Sequence, residues 1–193
     1  MKLLHIDSSA LGSHSVTREL SAAIVGAWKR THPGSAITYR DVAANPLPHW
    51  TPVADAGNPA ARAGSESLDE FLAADVIVIG APMYNFSIPS SLKAWIDRLA
   101  VAGKTFRYGP NGAEGLAGGK RVIVASSRGG IYSSGAAAAA DFQEAYLRQV
   151  FGFFGVTDIE FVRAEGVNIS AEQKVQAIAT ALAAISAEER IAA

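Results

Sequence analysis

The chain has 193 residues, of which 49% are hydrophobic and 18% charged, so it has enough apolar mass for a core and is predicted to form a single domain over residues 1–193. A net charge of −1 disfavours a nucleic-acid partner, and the absence of cysteine excludes disulfides, thiol nucleophiles and cysteine-bound metals. Neither a signal peptide nor an apolar run of about 20 residues is visible, so we expect a cytoplasmic protein with no membrane partner.

Short apolar runs alternate along the chain with segments of helical periodicity. The first part predicts, in order, a strand, a helix, a strand, a proline-rich loop and a helix, at residues 2–7, 16–30, 36–41, 42–64 and 65–73. The second part predicts strands that alternate with helices, at residues 75–81, 89–100, 121–125, 141–153, 158–163 and 171–191. Five strands and intervening helices predict an α/β fold, a doubly wound five-stranded parallel sheet of order 2-1-3-4-5 with helices on both faces.

In this strand order the chain reverses direction around the first and third strands, and a ligand is expected beyond their carboxyl ends. The first loop there, Ser8–Ser15, offers four serine hydroxyls and leads into a helix N-terminus, which is a neutral cradle for a phosphate. Neither G-x-x-x-x-G-K-[ST] nor G-x-G-x-x-G is present, which disfavours an NTPase and a dinucleotide Rossmann site. An ordinary polar turn with Ser15 as the helix N-cap is the alternative.

The second loop follows the third strand and carries apolar side chains where solvent is expected. Met83, Tyr84 and Phe86 indicate a planar ligand lying on them, and the Asn85 amide suits the edge of a heterocycle. The alternative is that these side chains fold back onto the core.

The third loop, residues 126–132, follows the fourth predicted strand. Its Gly129 and Gly130 let the backbone approach a ligand closely, and Arg128 either pairs with a strand-end carboxylate or supports charge in the site. A flexible turn is the alternative. A phosphate at one end and a flat conjugated ring at the other describe flavin mononucleotide, FMN, at the place where this fold binds it.

The sequence resembles the FMN-dependent, NAD(P)H-utilising azoreductases, which also reduce quinones and have a flavodoxin-like fold. The resemblance covers essentially the whole chain, and its most specific stretch is residues 82–97, continuing through residues 103–108. Residues 127–130, Ser9 and residues 15–17 also fit. It implies that the FMN phosphate is held by Ser9, Ser15, Val16 and Thr17. It implies that the flavin ring contacts Met83, Tyr84, Asn85, Phe86, Ser127, Arg128, Gly129 and Gly130. It also implies a homodimer with shared active sites, in which the substrate pocket is lined by Tyr108 and Phe153.

The resemblance implies that NADH or NADPH passes a hydride to FMN and that a quinone or aromatic azo compound then takes two electrons at the same face, a ping-pong reaction. No catalytic side chain is expected because the flavin carries the hydride, although the Gly129 and Gly130 amides suit the charge of a reduced flavin. No metal is expected, because no pair of the four histidines has helical i, i+4 spacing.

Four other functional classes were compared with this pattern. A flavodoxin-like electron carrier usually presents an acidic docking face, which a net charge of −1 disfavours. A receiver domain needs clustered acids, yet the third strand ends in Gly80-Ala81-Pro82, and a serine hydrolase needs a G-x-S-x-G motif that is absent. A non-catalytic flavin-binding module also remains open.

Overall fold

Strands and helices alternate along the computed structural model, which describes residues 1–52 and 58–192, with side chains up to residue 187. The strands are β1 (Lys2–Asp7), β2 (Ala36–Asp41), β3 (Val76–Pro82), β4 (Phe106–Gly109), β5 (Gly112–Gly115), β6 (Arg121–Arg128) and β7 (Asp158–Glu165). The α-helices are α1 (Val16–Thr31), α2 (Pro59–Ala73), α3 (Ser90–Leu99), α4 (Phe142–Phe153) and α5 (Ala171–Ala192). Short 3-10 turns lie at Gly12–His14 and Ala136–Ala140.

Five of these strands form one parallel sheet in the order β2-β1-β3-β6-β7, which confirms the doubly wound parallel sheet. The order 2-1-3-4-5 needs a correction in its numbering. An antiparallel hairpin of β4 and β5 precedes the last two sheet strands, which therefore become β6 and β7. The hairpin strands, FRYG and GAEG, are only four residues long and contain three glycines, so the periodicity was too short to predict them.

Hydrophobic layers cover both faces of the sheet, as predicted. All seven residues of β3 are buried, and successive side chains point to opposite faces. Ile77 lies in the cluster that includes Trp95 and packs under α2, α3 and α4, whereas Val78 lies in the cluster that includes Leu20 and packs under α1 and α5. The continuous apolar run of β3 is therefore explained by burial from two sides.

Two predicted boundaries were wrong, and each has a physical reason. Helix α2 begins at Pro59, because the Asn58 side chain accepts the Ala60 N–H at 2.9 Å and proline suits the first turn, so the predicted loop was too long. Strand β6 continues to Arg128, which pairs with Glu165 of β7. The third loop accordingly starts at residue 129.

Within the described ranges, no helix is both long enough and apolar enough to cross a membrane.

Candidate active site

The carboxyl ends of β1, β3 and β6 lie side by side, so the three predicted loops meet at one edge of the sheet. Backbone hydrogen bonds join them. Ser8 N–H donates to the carbonyl of Gly80 at 3.2 Å, and Met83 N–H donates to the carbonyl of Ser127 at 2.8 Å. Residues 72 and 44 positions apart in the chain are thereby held together, as expected at the switch point of this fold.

The first loop ends in an N-capped helix whose first turn presents free donors. Ser15 Oγ accepts the N–H of Arg18 at 3.3 Å and lies 3.1 Å from Thr17 Oγ1. The N–H groups of Val16 and Thr17 have no acceptor within the described chain, although both residues are buried. The first N–H groups of a helix have no intrahelical acceptor, so these two donors are available to an anionic ligand.

Arg18 braces this loop, and the sequence analysis missed it. Its guanidinium donates to Asp41 Oδ2 at 2.7 Å and to the Ser9 carbonyl at 2.9 Å. Burial raises the pKa of Asp41, but the hydrogen bond and charge of Arg18 and the backbone N–H groups of Ala43 and Ala44 together outweigh burial, and the pKa lies below its usual value. A basic residue in the first turn of a helix opposes the helix dipole, and this was the available signal. A cleft of about 770 Å³ opens between the loop and the end of β2.

The second loop is a tight two-residue turn. Tyr84 and Ser87 exchange both backbone hydrogen bonds, at 2.9 and 3.1 Å, around Asn85 and Phe86. These two residues have φ of 49° and 70°, the left-handed conformation that a type I′ turn needs at both central positions. Asparagine tolerates that conformation, whereas a bulky residue such as phenylalanine is strained there.

The side chains of this turn are not enclosed in the core. Asn85 and Phe86 are exposed, and Met83 and Tyr84 are half-buried, so the expectation that they avoid the core holds. The Tyr84 hydroxyl accepts the Ala10 N–H at 3.2 Å and therefore connects the turn to the first loop.

The third loop begins beside a buried arginine. Arg128 is 1% exposed and pairs with Asp141 at 3.0 Å, with Glu165 at 3.1 Å and with Glu144. Of the two roles considered for it, the structure shows the pairing with carboxylates, so its guanidinium is not part of the ligand-facing surface. The contact of this segment with a ring edge stays a prediction for Ser127 and for the two glycines.

Gly129 and Gly130 turn their carbonyl groups away from that surface. The carbonyls accept N–H groups of Asn168 and Gly166 at 3.1 and 2.9 Å, while no acceptor for the glycine N–H groups is found in the described chain. The Tyr132 ring packs edge-on against Phe86 with centroids 6.2 Å apart, which joins the second and third loops. Tyr132 lies in the stretch that the sequence analysis singled out, but no role was assigned to it.

Tyr108 and Phe153 belong to one aromatic row. Phe106, which the sequence analysis missed, lies between them, with ring centroids 5.5 Å from Tyr108 and 4.5 Å from Phe153. Tyr108 is 76% exposed. No ring contact connects this row to Phe86 in the described part of the chain, so the two aromatic groups are separate within one subunit.

Among the residues that the structure describes, no three histidine or acidic side chains come close enough together to hold a metal ion. His14 is exposed in the first loop.

Comparison with known proteins gives a consistent result. A family model described as a flavodoxin-like fold matches residues 1–188. The FMN-dependent NADH:quinone oxidoreductase 1 of Xanthomonas axonopodis pv. citri (strain 306) is 60% identical over 194 residues, which cover 100% of this chain and 99% of that protein. The FMN-dependent NADH:quinone oxidoreductase of Sinorhizobium fredii (strain NBRC 101917 / NGR234) is 62% identical over 192 residues, which cover 94% and 93%.

Solved structures agree over the whole length of the chain. The crystal structure of an azoreductase from Bacillus anthracis str. Sterne superposes with a TM-score of 0.88 at 29% identity and covers 100% of this chain and 98% of that one. An FMN-dependent NADH-azoreductase from Bacillus anthracis str. Ames Ancestor, in complex with FMN, superposes with a TM-score of 0.85 at 25% identity and covers 100% and 99%.

Proposed function

The chain belongs to the flavodoxin-like family of FMN-dependent NADH:quinone oxidoreductases, and from this premise we propose that it binds FMN and reduces quinones and aromatic azo compounds with NADH or NADPH. One observation carries the proposal. Two N–H groups without acceptors, those of Val16 and Thr17 in the first turn of α1, lie at the same sheet edge as an exposed aromatic turn. These are the features that a phosphate and a flat ring require.

The first loop would hold the FMN phosphate. Ser9, Ser15, Val16 and Thr17 offer hydroxyl and backbone donors, and the positive end of the α1 dipole adds to their attraction for an anion. The Arg18 guanidinium, which is paired with Asp41, donates to the Ser9 carbonyl and so fixes its position. This site binds through neutral donors rather than through a lysine.

The second and third loops would hold the ring. When bound, FMN would supply two-electron redox chemistry between NAD(P)H and the substrate, and we propose a ping-pong order for it. The turn at residues 83–86 provides the surface under the ring. The free N–H groups of Gly129 and Gly130 point away from β7 and are placed to donate to a negative ring edge.

The substrate would enter against aromatic side chains. The row of Phe106, Tyr108 and Phe153 offers flat apolar surface for a quinone or azo compound and excludes water. We include in the proposal a homodimer with shared active sites, because this row is separate from the turn of its own subunit and its Tyr108 side chain is 76% exposed.

The test is a visible spectrum of the purified protein, repeated without oxygen after NADH is added and again after a quinone is added. We expect an oxidised flavin spectrum that bleaches with NADH and recovers with the quinone. A flavin that stays oxidised with both NADH and NADPH would contradict the enzymatic proposal and favour an electron carrier or a binding module. Protein that takes up no FMN would contradict the assignment of the loops.

Matched variants locate the phosphate. Ser15→Ala removes the buried hydroxyl of the helix cap, whereas Ser13→Ala removes an exposed hydroxyl of the same loop. We expect FMN affinity to fall in Ser15→Ala and to remain unchanged in Ser13→Ala. Equal affinities in both variants would mean that Ser15 does not contribute to the phosphate site.

Light scattering on a sizing column tests the dimer.

A further inference from the structure

The loop after β6 is held by one carboxylate at the end of β7. Glu165 Oε1 accepts the backbone N–H groups of Tyr132 at 2.8 Å and Ser133 at 2.9 Å, and the Arg128 guanidinium at 3.1 Å. The Ser133 hydroxyl donates to the other oxygen, Oε2. Two consecutive peptide N–H groups are therefore fixed to a side chain that is 32 residues later in the chain.

This carboxylate is charged at neutral pH. Burial raises the pKa of Glu165, but hydrogen bonds from the Ser133 hydroxyl, the Tyr132 N–H and Arg128 outweigh burial and bring the pKa below its usual value. Hydrogen bonds to a charged acceptor are about twice as strong as those between neutral groups. The contacts of Glu165 are accordingly the strongest ones that the described structure gives to this loop.

The residues after Glu165 fix the orientation of the preceding peptides. The N–H groups of Gly166, Val167 and Asn168 donate to the carbonyls of residues 130, 128 and 129, at 2.9, 3.1 and 3.1 Å. A Cβ atom at Gly129 would lie 2.8 Å from Asn168 Nδ2, so the two segments are in close contact. With their carbonyls turned toward β7, the N–H groups of Gly129 and Gly130 face the opposite side, where the other two loops lie.

The same contacts reach the aromatic turn. Tyr132, whose N–H is bound by Glu165, packs its ring edge-on against Phe86. The carbonyl of Phe86 in turn accepts the N–H of Phe142, at 3.1 Å, at the start of α4. Releasing Tyr132 therefore loosens the end of the third loop and removes one contact of the second loop, whose Phe86 carbonyl stays bound to Phe142.

We propose that Glu165 is a positioning residue that holds the Gly129–Ser133 loop and the Tyr132 ring against the FMN site, and so determines how tightly FMN is bound without touching it. The part of this inference that concerns FMN rests on the proposed function. The part that concerns the loop rests on the contacts of Glu165 alone.

The test compares Glu165→Ala and Glu165→Gln with a control at Asp141. Glutamine keeps one carbonyl oxygen that accepts both N–H groups, whereas alanine removes all acceptors. Asp141→Asn removes another carboxylate from the same Arg128 but preserves the cap of α4, because asparagine caps helices as well as aspartate does. The readouts are amide hydrogen exchange at residues 129–133 in the holoprotein and FMN affinity from the quenching of flavin fluorescence.

In Glu165→Ala we expect faster exchange at Tyr132 and Ser133 and an FMN dissociation constant raised by about tenfold, the loss expected for hydrogen bonds to a charged group. In Glu165→Gln we expect most of the protection and affinity to be recovered. In Asp141→Asn we expect both to match the wild type. If Glu165→Ala does not fold, Ser133→Ala, which removes the contact to Oε2 alone, should show a smaller change in the same direction.

Three results would overturn the inference. Unchanged exchange in Glu165→Ala would show that the carboxylate does not hold the loop. Faster exchange with unchanged FMN affinity would show that the loop does not support the cofactor. Equal losses in Asp141→Asn and Glu165→Ala would assign the effect to the charge around Arg128 instead of to the loop contacts. A wild-type protein that binds no FMN would contradict the proposed function, while hydrogen exchange would still decide the role of Glu165.

Discussion

The strained turn at Phe86 predicts an unusual order of stability in two variants. Phe86 has φ of 70° and is 51% exposed, and its ring contact with Tyr132 is lost equally when it is replaced by alanine or by glycine. The difference between Phe86→Ala and Phe86→Gly therefore isolates the backbone. Alanine keeps a Cβ atom in the left-handed region, and glycine does not.

The magnitude follows from two opposing effects. A residue with a Cβ atom pays about 1–2 kcal/mol in the left-handed conformation. Glycine is otherwise less favourable than alanine by about 0.5–1 kcal/mol, because it loses more backbone entropy on folding. The first effect is larger, so we expect Phe86→Gly to be more stable than Phe86→Ala by about 1 kcal/mol. In a chain of this size that corresponds to a Tm higher by about 2–4 °C.

The assay is thermal unfolding of the two variants and the wild type, followed by circular dichroism. FMN titrations of the same samples should show affinity reduced to a similar extent in both variants, because both lose the ring. A glycine variant that is no more stable than the alanine variant would refute the conclusion that the backbone at residue 86 is strained.

Three further predictions concern the core, the aromatic row and pH. In Gly80→Ala the new Cβ atom would lie 2.5 Å from Asp7 Oδ1 inside the sheet, and we expect a loss of about 1–3 kcal/mol in urea unfolding. Tyr108→Ala removes a side chain that is 76% exposed, so its unfolding free energy should change by less than about 0.5 kcal/mol, while kcat/KM for a quinone should fall in steady-state assays. The pKa of Glu165 is lowered in the folded protein, so its charge stabilises the fold above the ordinary glutamate pKa of about 4.3, and this contribution is lost as the pH falls through the folded value. The difference in Tm between wild type and Glu165→Gln should accordingly narrow between neutral pH and about pH 3; a constant difference would contradict the role of the charge.

The sequence predicted which loops meet at the sheet edge, but it did not predict the individual contacts among them. Hydrophobic periodicity located the five sheet strands, and the switch-point rule then placed the three loops at one edge, which the backbone bonds from Ser8 to Gly80 and from Met83 to Ser127 confirm. The roles of single residues toward FMN stay predictions. The contacts of Arg18 with Asp41 and of Phe106 with Phe153 were missed because these partners are 23 and 47 residues away in the chain.

Local patterns by themselves determined which segments are strands and helices. Burial of one face, or of both, spaces the apolar residues at regular intervals along the segment. Only the tertiary structure decided where the polar side chains bind. The partners of Arg128 are 13, 16 and 37 residues away, and Glu165 accepts the N–H of Ser133, which is 32 residues earlier. Such contacts depend on the positions of three separate elements at once, and no repeating pattern in the chain records them. The β4–β5 hairpin was likewise decided by tertiary packing, because a Cβ atom at Gly115 would lie 2.1 Å from the Gly155 backbone, a close approach that only the folded chain creates.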